Sequence, residues 1–141
     1  MVMRLILVRH GLSSYNKEGL IQGRTDKSYL TEEGYKQAAL TGKILNEIDF
    51  DLIYSSPLKR AAETAKEINK FLDKNIDIKY DKKLIEVDLD EWSGLSINEI
   101  KNKYKDPYKI WKIDPEKLEL QRKDKSTYKP IQDLFEQAKV F

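Results

Sequence analysis

Apolar residues fall along the chain in alternating short runs and helical stripes. Leu5 to Val8 are four in a row, which fits a strand buried on both faces in a parallel sheet; the strand is read over residues 3 to 9. Residues 11 to 29 carry three glycines and many polar positions and read as a long loop, a feature that in a small domain is usually functional. Thr31 is a good N-cap, and Glu32 and Glu33 suit the positive end of a helix dipole. Tyr35, Ala38, Ala39, Gly42, Leu45 and Ile48 then recur at helical spacing to about residue 48. Residues 50 to 56 give a second strand, and Ser56 with Pro57 reads as an N-cap followed by a first helical residue. Leu58, Ala61, Ala62, Ala65, Ile68 and Leu72 supply that helix's stripe. Further strands are expected at 76 to 80 and 83 to 87. Ser96 and Glu99 have capping-box spacing for a helix that stops before Asp106-Pro107, and residues 131 to 141 look like one more amphipathic helix. Strands alternating with helices predict an α/β domain with a largely parallel sheet.

Composition narrows the classes. A chain of 141 residues is one domain's worth and can bury roughly 70% of its unfolded surface. It has no cysteine, so disulfide frameworks and thiolate metal sites are out. Twenty-six basic against 24 acidic residues leave a net charge of +2, which is not a nucleic-acid binder's balance. Residues 101 to 141 carry +4, read as a solvated surface. No apolar run approaches the roughly 20 residues that span a membrane, and no small-residue cleavage pattern follows the N-terminal apolar stretch, so the expected location is cytoplasmic.

Candidate chemistry sits where such sheets place it, at the carboxyl ends of strands. The first strand ends at Arg9, His10 and Gly11, and His10 is the only histidine. The second ends at Ser55 and Ser56, with Arg60 in the first turns of the following helix, where free N–H groups favour an anion. The strand near 83 to 87 carries Glu86. Arginine matches phosphate oxygens with a fixed fork, and three of the chain's five arginines (Arg9, Arg24, Arg60) fall on this edge. Each residue alone is more often structural than catalytic; their order and spacing together point to phosphate chemistry.

The stretches LVRHG at 7 to 11, Asn16, QG at 22 and 23, LTEEGYKQA at 30 to 38, IYSSPLKRAAETA at 53 to 65 and LIEVDLDEWSGLSINEI at 84 to 100 occur in an order that resembles the histidine phosphatase superfamily, the phosphoglycerate mutase-like proteins. The last stretch is similar to the phosphatase branch, which includes α-ribazole phosphatases and broad-specificity sugar-phosphate phosphatases. The resemblance implies a three-layer α/β/α fold over residues 1 to 141 as a single domain. It also implies a phosphomonoester hydrolase that works through a phosphohistidine on a small phosphorylated metabolite. His10 would be the nucleophile, Arg9 and Arg60 the phosphate ligands, and Glu86 the proton donor and then the base. Gly11, Asn16, Gln22 and Gly23 would line the substrate pocket. It implies no metal and no cofactor, and neither a nucleic-acid nor a membrane partner.

There are departures. The family's second catalytic histidine, on a late strand inserted beside the first, has no counterpart, so the fold is expected to be C-terminally truncated. Leu12-Ser13, Tyr29 and Leu89 replace the usual Glu-Thr, proline and glycine, and STYKPIQDL at 126 to 134 lacks a Gly-Glu-Ser element. Three outcomes are expected for the first strand's open edge: closure onto residues 50 to 55, a strand exchanged in a homodimer, or an edge left open. Mutase-type phosphoryl transfer and a truncated, inactive phosphate-binding relative are the alternative readings.

Overall fold

The computed structural model describes residues 3–141. Thr31 caps the helix its sequence promises: its hydroxyl accepts from the Gly34 amide at 3.1 Å, and α2 runs Glu32–Leu45. Before it, the long loop contains one short helix, α1 (Ser14–Glu18), capped by Ser13 and ended by Gly19 in the left-handed region at φ 69°. The second strand is β1 (Ile53–Ser55), and it pairs in parallel with β2 (Ile78–Tyr80). Between them runs α3 (Lys59–Asn69), so β1-α3-β2 is a parallel crossover unit. Helix α3 packs on α2, where Gly42 lets the Ile68 backbone approach; a Cβ on Gly42 would lie 2.7 Å from the Ile68 carbonyl oxygen.

Several expectations are corrected. Helix α3 starts two residues later than Ser56-Pro57 suggests. Leu58 is its extended N-cap residue, and the first amide, Lys59, is capped from afar by the Asp26 carboxylate at 2.8 Å. Residues 83 to 87 form no ladder: a 3-10 turn at Lys82–Leu84 gives way to an extended segment. Residues 3 to 9 also form no ladder among the described residues. No neighbouring strand among the described residues offers N–H and C=O partners, and most of their apolar side chains are open to solvent, with Leu5 71% and Leu7 86% exposed. They share the lining of a cavity of about 580 Å³ with Leu52 to Ser56, and β1 has not closed onto them. The expected α/β class stands, and among the described residues its parallel sheet is the β1–β2 pair.

Beyond residue 86 a second core forms. Val87, Leu89, Trp92, Ile100, Leu118, Leu120 and Tyr128 pack together. Ser96 and Glu99 make the expected capping box for α4 (Ile97–Lys103). After a break at Tyr104 the chain resumes in α5 (Lys105–Ile113), with Pro107 in its first turn, where the missing N–H costs nothing. A small antiparallel hairpin, β3 (Leu120–Gln121) with β4 (Thr127–Tyr128), was not legible in the sequence. The last helix, α6 (Pro130–Lys139), is the expected one. Among the described residues no helix is long and apolar enough to cross a membrane.

Candidate active site

Arg9, His10, Arg60 and Glu86 all line the 580 Å³ cavity, and the charges of the other three reach the His10 ring. His10 is half-buried. Its Nδ1 lies 2.7 Å from the Gly11 carbonyl oxygen. A carbonyl only accepts, so Nδ1 carries the proton and Nε2 keeps its lone pair. Burial holds the imidazole below its usual pKa; the Gly11 carbonyl opposes this, the Arg60 and Arg9 charges add to it, and Glu86 opposes it. The ring is therefore neutral near pH 7, with one nitrogen free to attack.

The backbone after His10 is anchored to α3. The Gly11 amide donates to the Thr64 hydroxyl at 3.1 Å, and that hydroxyl donates to the Arg60 carbonyl at 2.7 Å. Gly11 is glycine for packing: a Cβ there would stand 2.4 Å from the Gly34 carbonyl oxygen of α2.

Arg60 is 1% exposed. Its Nη1 donates to the Thr25 carbonyl at 2.9 Å and its Nη2 to the Gly23 carbonyl at 2.8 Å, so its plane is fixed by the loop before α2. Burial pushes its pKa down from the ordinary value, and Glu86 and Asp26 oppose this. A guanidinium stays charged regardless, so a cation is held ready at the cavity wall.

Gln22 and Gly23 do their visible work on this loop. The Gln22 Oε1 accepts from the Ser13 hydroxyl at 2.7 Å and the Ser28 hydroxyl at 2.8 Å. Gly23 sits at φ 52°, a left-handed turn that aims its carbonyl at Arg60. Asn16 lies in α1, its Oδ1 2.9 Å from the Ser13 hydroxyl. Neither these three residues nor Gly11 line the cavity. Arg9 and Glu86 are exposed there, and the Glu86 Oε1 accepts from the Val87 amide at 3.2 Å.

The partners that hold the site come from distant parts of the chain. Thr64, Asp26, Ser13 and Ser28 carry no signal in sequence, since an isolated serine, threonine or aspartate reads as surface. In the sequence Arg24 is only one of three arginines on this edge. It donates from Nε to the Glu86 carbonyl at 3.0 Å.

The sequence model of the histidine phosphatase superfamily (branch 1) matches residues 5–137. The chain is 37% identical over 140 residues to phosphoserine phosphatase 1 of Hydrogenobacter thermophilus, covering 98% of this chain and 65% of that protein. Among solved structures, Bacillus stearothermophilus YhfR superposes with a TM-score of 0.82 at 30% identity, over 94% of this chain and 61% of that one. The α-ribazole phosphatase of Shigella flexneri shares the fold, with a TM-score of 0.79 at 23% identity, over 95% and 62%. The chain thus spans somewhat under two thirds of these proteins' lengths. A match over nearly all described residues, by sequence and by fold, agrees with a histidine, two arginines and a glutamate lining one cavity: the chain belongs to the histidine phosphatase superfamily (branch 1).

Proposed function

We propose that the protein hydrolyses phosphomonoesters of small metabolites through a phosphohistidine at His10. The observation that carries this reading is the imidazole itself: Nδ1–H is tied to the Gly11 carbonyl and Nε2 is left free beside the buried Arg60 charge. In the first step Nε2 attacks phosphorus and the ester P–O bond breaks. Glu86, protonated, gives its proton to the leaving oxygen. Arg9 and Arg60 balance the charge on the transferring phosphoryl group, where electrostatics supplies most of the catalysis. In the second step water attacks phosphorus, Glu86 takes the water's proton and the P–N bond breaks. Phosphate leaves, and the imidazole returns with its proton still on Nδ1.

Gly11, Asn16, Gln22 and Gly23 shape the pocket in this reading, Gly23 by accepting from Arg60 and Gln22 by bracing the same loop through Ser13 and Ser28. The chemistry asks for no metal or cofactor, since arginines supply the charge. The reading takes residues 1 to 141 as one domain of a cytoplasmic protein with neither nucleic-acid nor membrane partners. The relatives named as phosphatases support it.

Brief exposure to a radiolabelled phosphomonoester tests it. The expected product is a phosphoprotein stable to base and labile to acid, absent from His10→Ala. Label that persists in the variant overturns the assignment.

A further inference from the structure

The segment that carries Glu86 has no ladder among the described residues. Its carbonyls must be satisfied in some other way. The Gln137 amide, from α6, donates through Nε2 to the Lys83 carbonyl at 2.9 Å and to the Ile85 carbonyl at 2.8 Å. Arg24, from the loop that holds Arg60, donates from Nε to the carbonyl of Glu86 itself at 3.0 Å. The two clamps are joined: Arg24 Nη2 donates to the Gln137 Oε1 at 2.9 Å. One residue pair, 113 positions apart, thus grips three carbonyls in four residues and ends on the residue that bears the carboxyl.

The next residues are pinned as well. Arg122 Nη1 meets Asp88 Oδ2 at 2.9 Å, and the Tyr128 hydroxyl donates to the Asp88 carbonyl at 3.1 Å. Glu86 is therefore the exposed carboxyl on a segment fixed on both sides, with Arg24 and Gln137 as the clamp nearest to it. Neither side chain lines the cavity, so neither is placed to touch a phosphate.

We propose that Arg24 and Gln137 are positioning residues for Glu86: their linked hydrogen bonds stand in for a missing sheet ladder and set where the proton-donating carboxyl lies. This rests on the role given to Glu86 above. It also gives α6 a part in catalysis, although the only side chain α6 lends to the cavity lining is the apolar Leu134.

The test is kcat/KM for an acidic leaving group, p-nitrophenyl phosphate, and a basic one, glycerol phosphate. This parameter reports the step in which Glu86 gives up its proton, which matters most when the leaving oxygen is basic. Gln137→Leu and Arg24→Met should each lose about tenfold or more on glycerol phosphate, the scale of loss expected when a reacting group is misplaced by a fraction of an ångström. On p-nitrophenyl phosphate the loss should be no more than about threefold, because that oxygen needs little protonation. In a Glu86→Gln background the same substitutions should cost almost nothing further. Arg24→Lys keeps the charge but cannot reach both partners, so it should behave like Arg24→Met.

Equal losses on both substrates overturn the proposal, as does a full loss that persists in the Glu86→Gln background. Rescue by lysine overturns it too, since charge in place of geometry would then be at work. Wild-type protein that forms no phosphohistidine removes the proposed function itself, and this inference with it. A variant whose thermal unfolding midpoint drops sharply is replaced by Gln137→Glu, which keeps the acceptor for Arg24 and loses both donors to the Lys83 and Ile85 carbonyls.

Discussion

The His10 imidazole is the single titrating histidine of the chain, so one resonance in a proton–nitrogen correlation spectrum reports it without assignment. Burial is the largest cause of its lowered pKa, and the neighbouring arginines reinforce it. Its midpoint should therefore lie below the ordinary value of about 6.5. Arg9→Gln removes one of the positive charges and should raise the midpoint; an unchanged midpoint would show that the Arg9 charge does not reach the ring. The same shift has a sign for stability. With the folded pKa depressed, the unfolded chain binds the proton first as pH falls. The stability this site contributes is whole above about pH 6.5 and is lost as pH drops through the folded pKa. His10→Ala should flatten that part of the stability profile. At Arg60 the geometry is stricter than the charge. Two of its donors are spent on the Gly23 and Thr25 carbonyls, so Arg60→Lys leaves buried carbonyls unpaired and a point charge in place of a fork. Vanadate affinity should fall by about tenfold or more, on the scale of one lost charge-assisted hydrogen bond. Isothermal titration measures it, and unchanged affinity would place the anion elsewhere.

At the scale of elements, the start of α3 decides where Arg60 lies. Its first amide is capped by Asp26, 33 residues earlier, and the same loop holds the guanidinium through Gly23 and Thr25. Cap and ligand clamp are thus one device. Asp26→Ala should cost about 1 kcal/mol of stability in urea unfolding, as loss of a helix cap does. It should also weaken vanadate binding, because the loop that fixes Arg60 loses one of the hydrogen bonds that tie it to α3. A loss of stability with unchanged vanadate affinity would separate the two roles. The capping box at Ser96 and Glu99 offers a contrast. It serves α4 alone, so Ser96→Ala should lower stability by a similar amount and leave anion binding untouched.

For the whole molecule the open edge dominates. Leu5, Leu7 and Val8 are exposed along the cavity, as are Leu52 and Tyr54. Apolar segments with unpaired backbone groups pair with other chains. Residues 1 to 141 expressed by themselves should self-associate in a concentration-dependent way, measured by sedimentation velocity. They should turn over p-nitrophenyl phosphate more slowly than the Hydrogenobacter relative does, because the wall of the cavity that carries His10 has no sheet partner among the described residues to stiffen it. A monodisperse monomer as active as that relative would show that the edge needs no partner.

What was legible in the sequence is local. Helix starts at Thr31 and Ser96 are written in caps a few residues from what they cap, and the parallel crossover is written in the alternation of an apolar run, a helical stripe and a second run. His10, Arg9, Arg60 and Glu86 stood out because strand ends and a helix start placed them on one edge, and the structure brings all four to one cavity. The tertiary structure decided the rest. An apolar run says that a strand wants neighbours, but a ladder needs a second backbone, and Leu5 to Val8 and residues 83 to 87 find none among the described residues. Ser56-Pro57 has the grammar of a helix start, yet a carboxylate from Asp26 moved the start to Lys59. The grip of Arg24 and Gln137 on the Glu86 segment joins residues 113 positions apart. Hydrogen bonds between such distant groups depend on where folding brings the backbone, and no periodicity or spacing along one chain encodes that position.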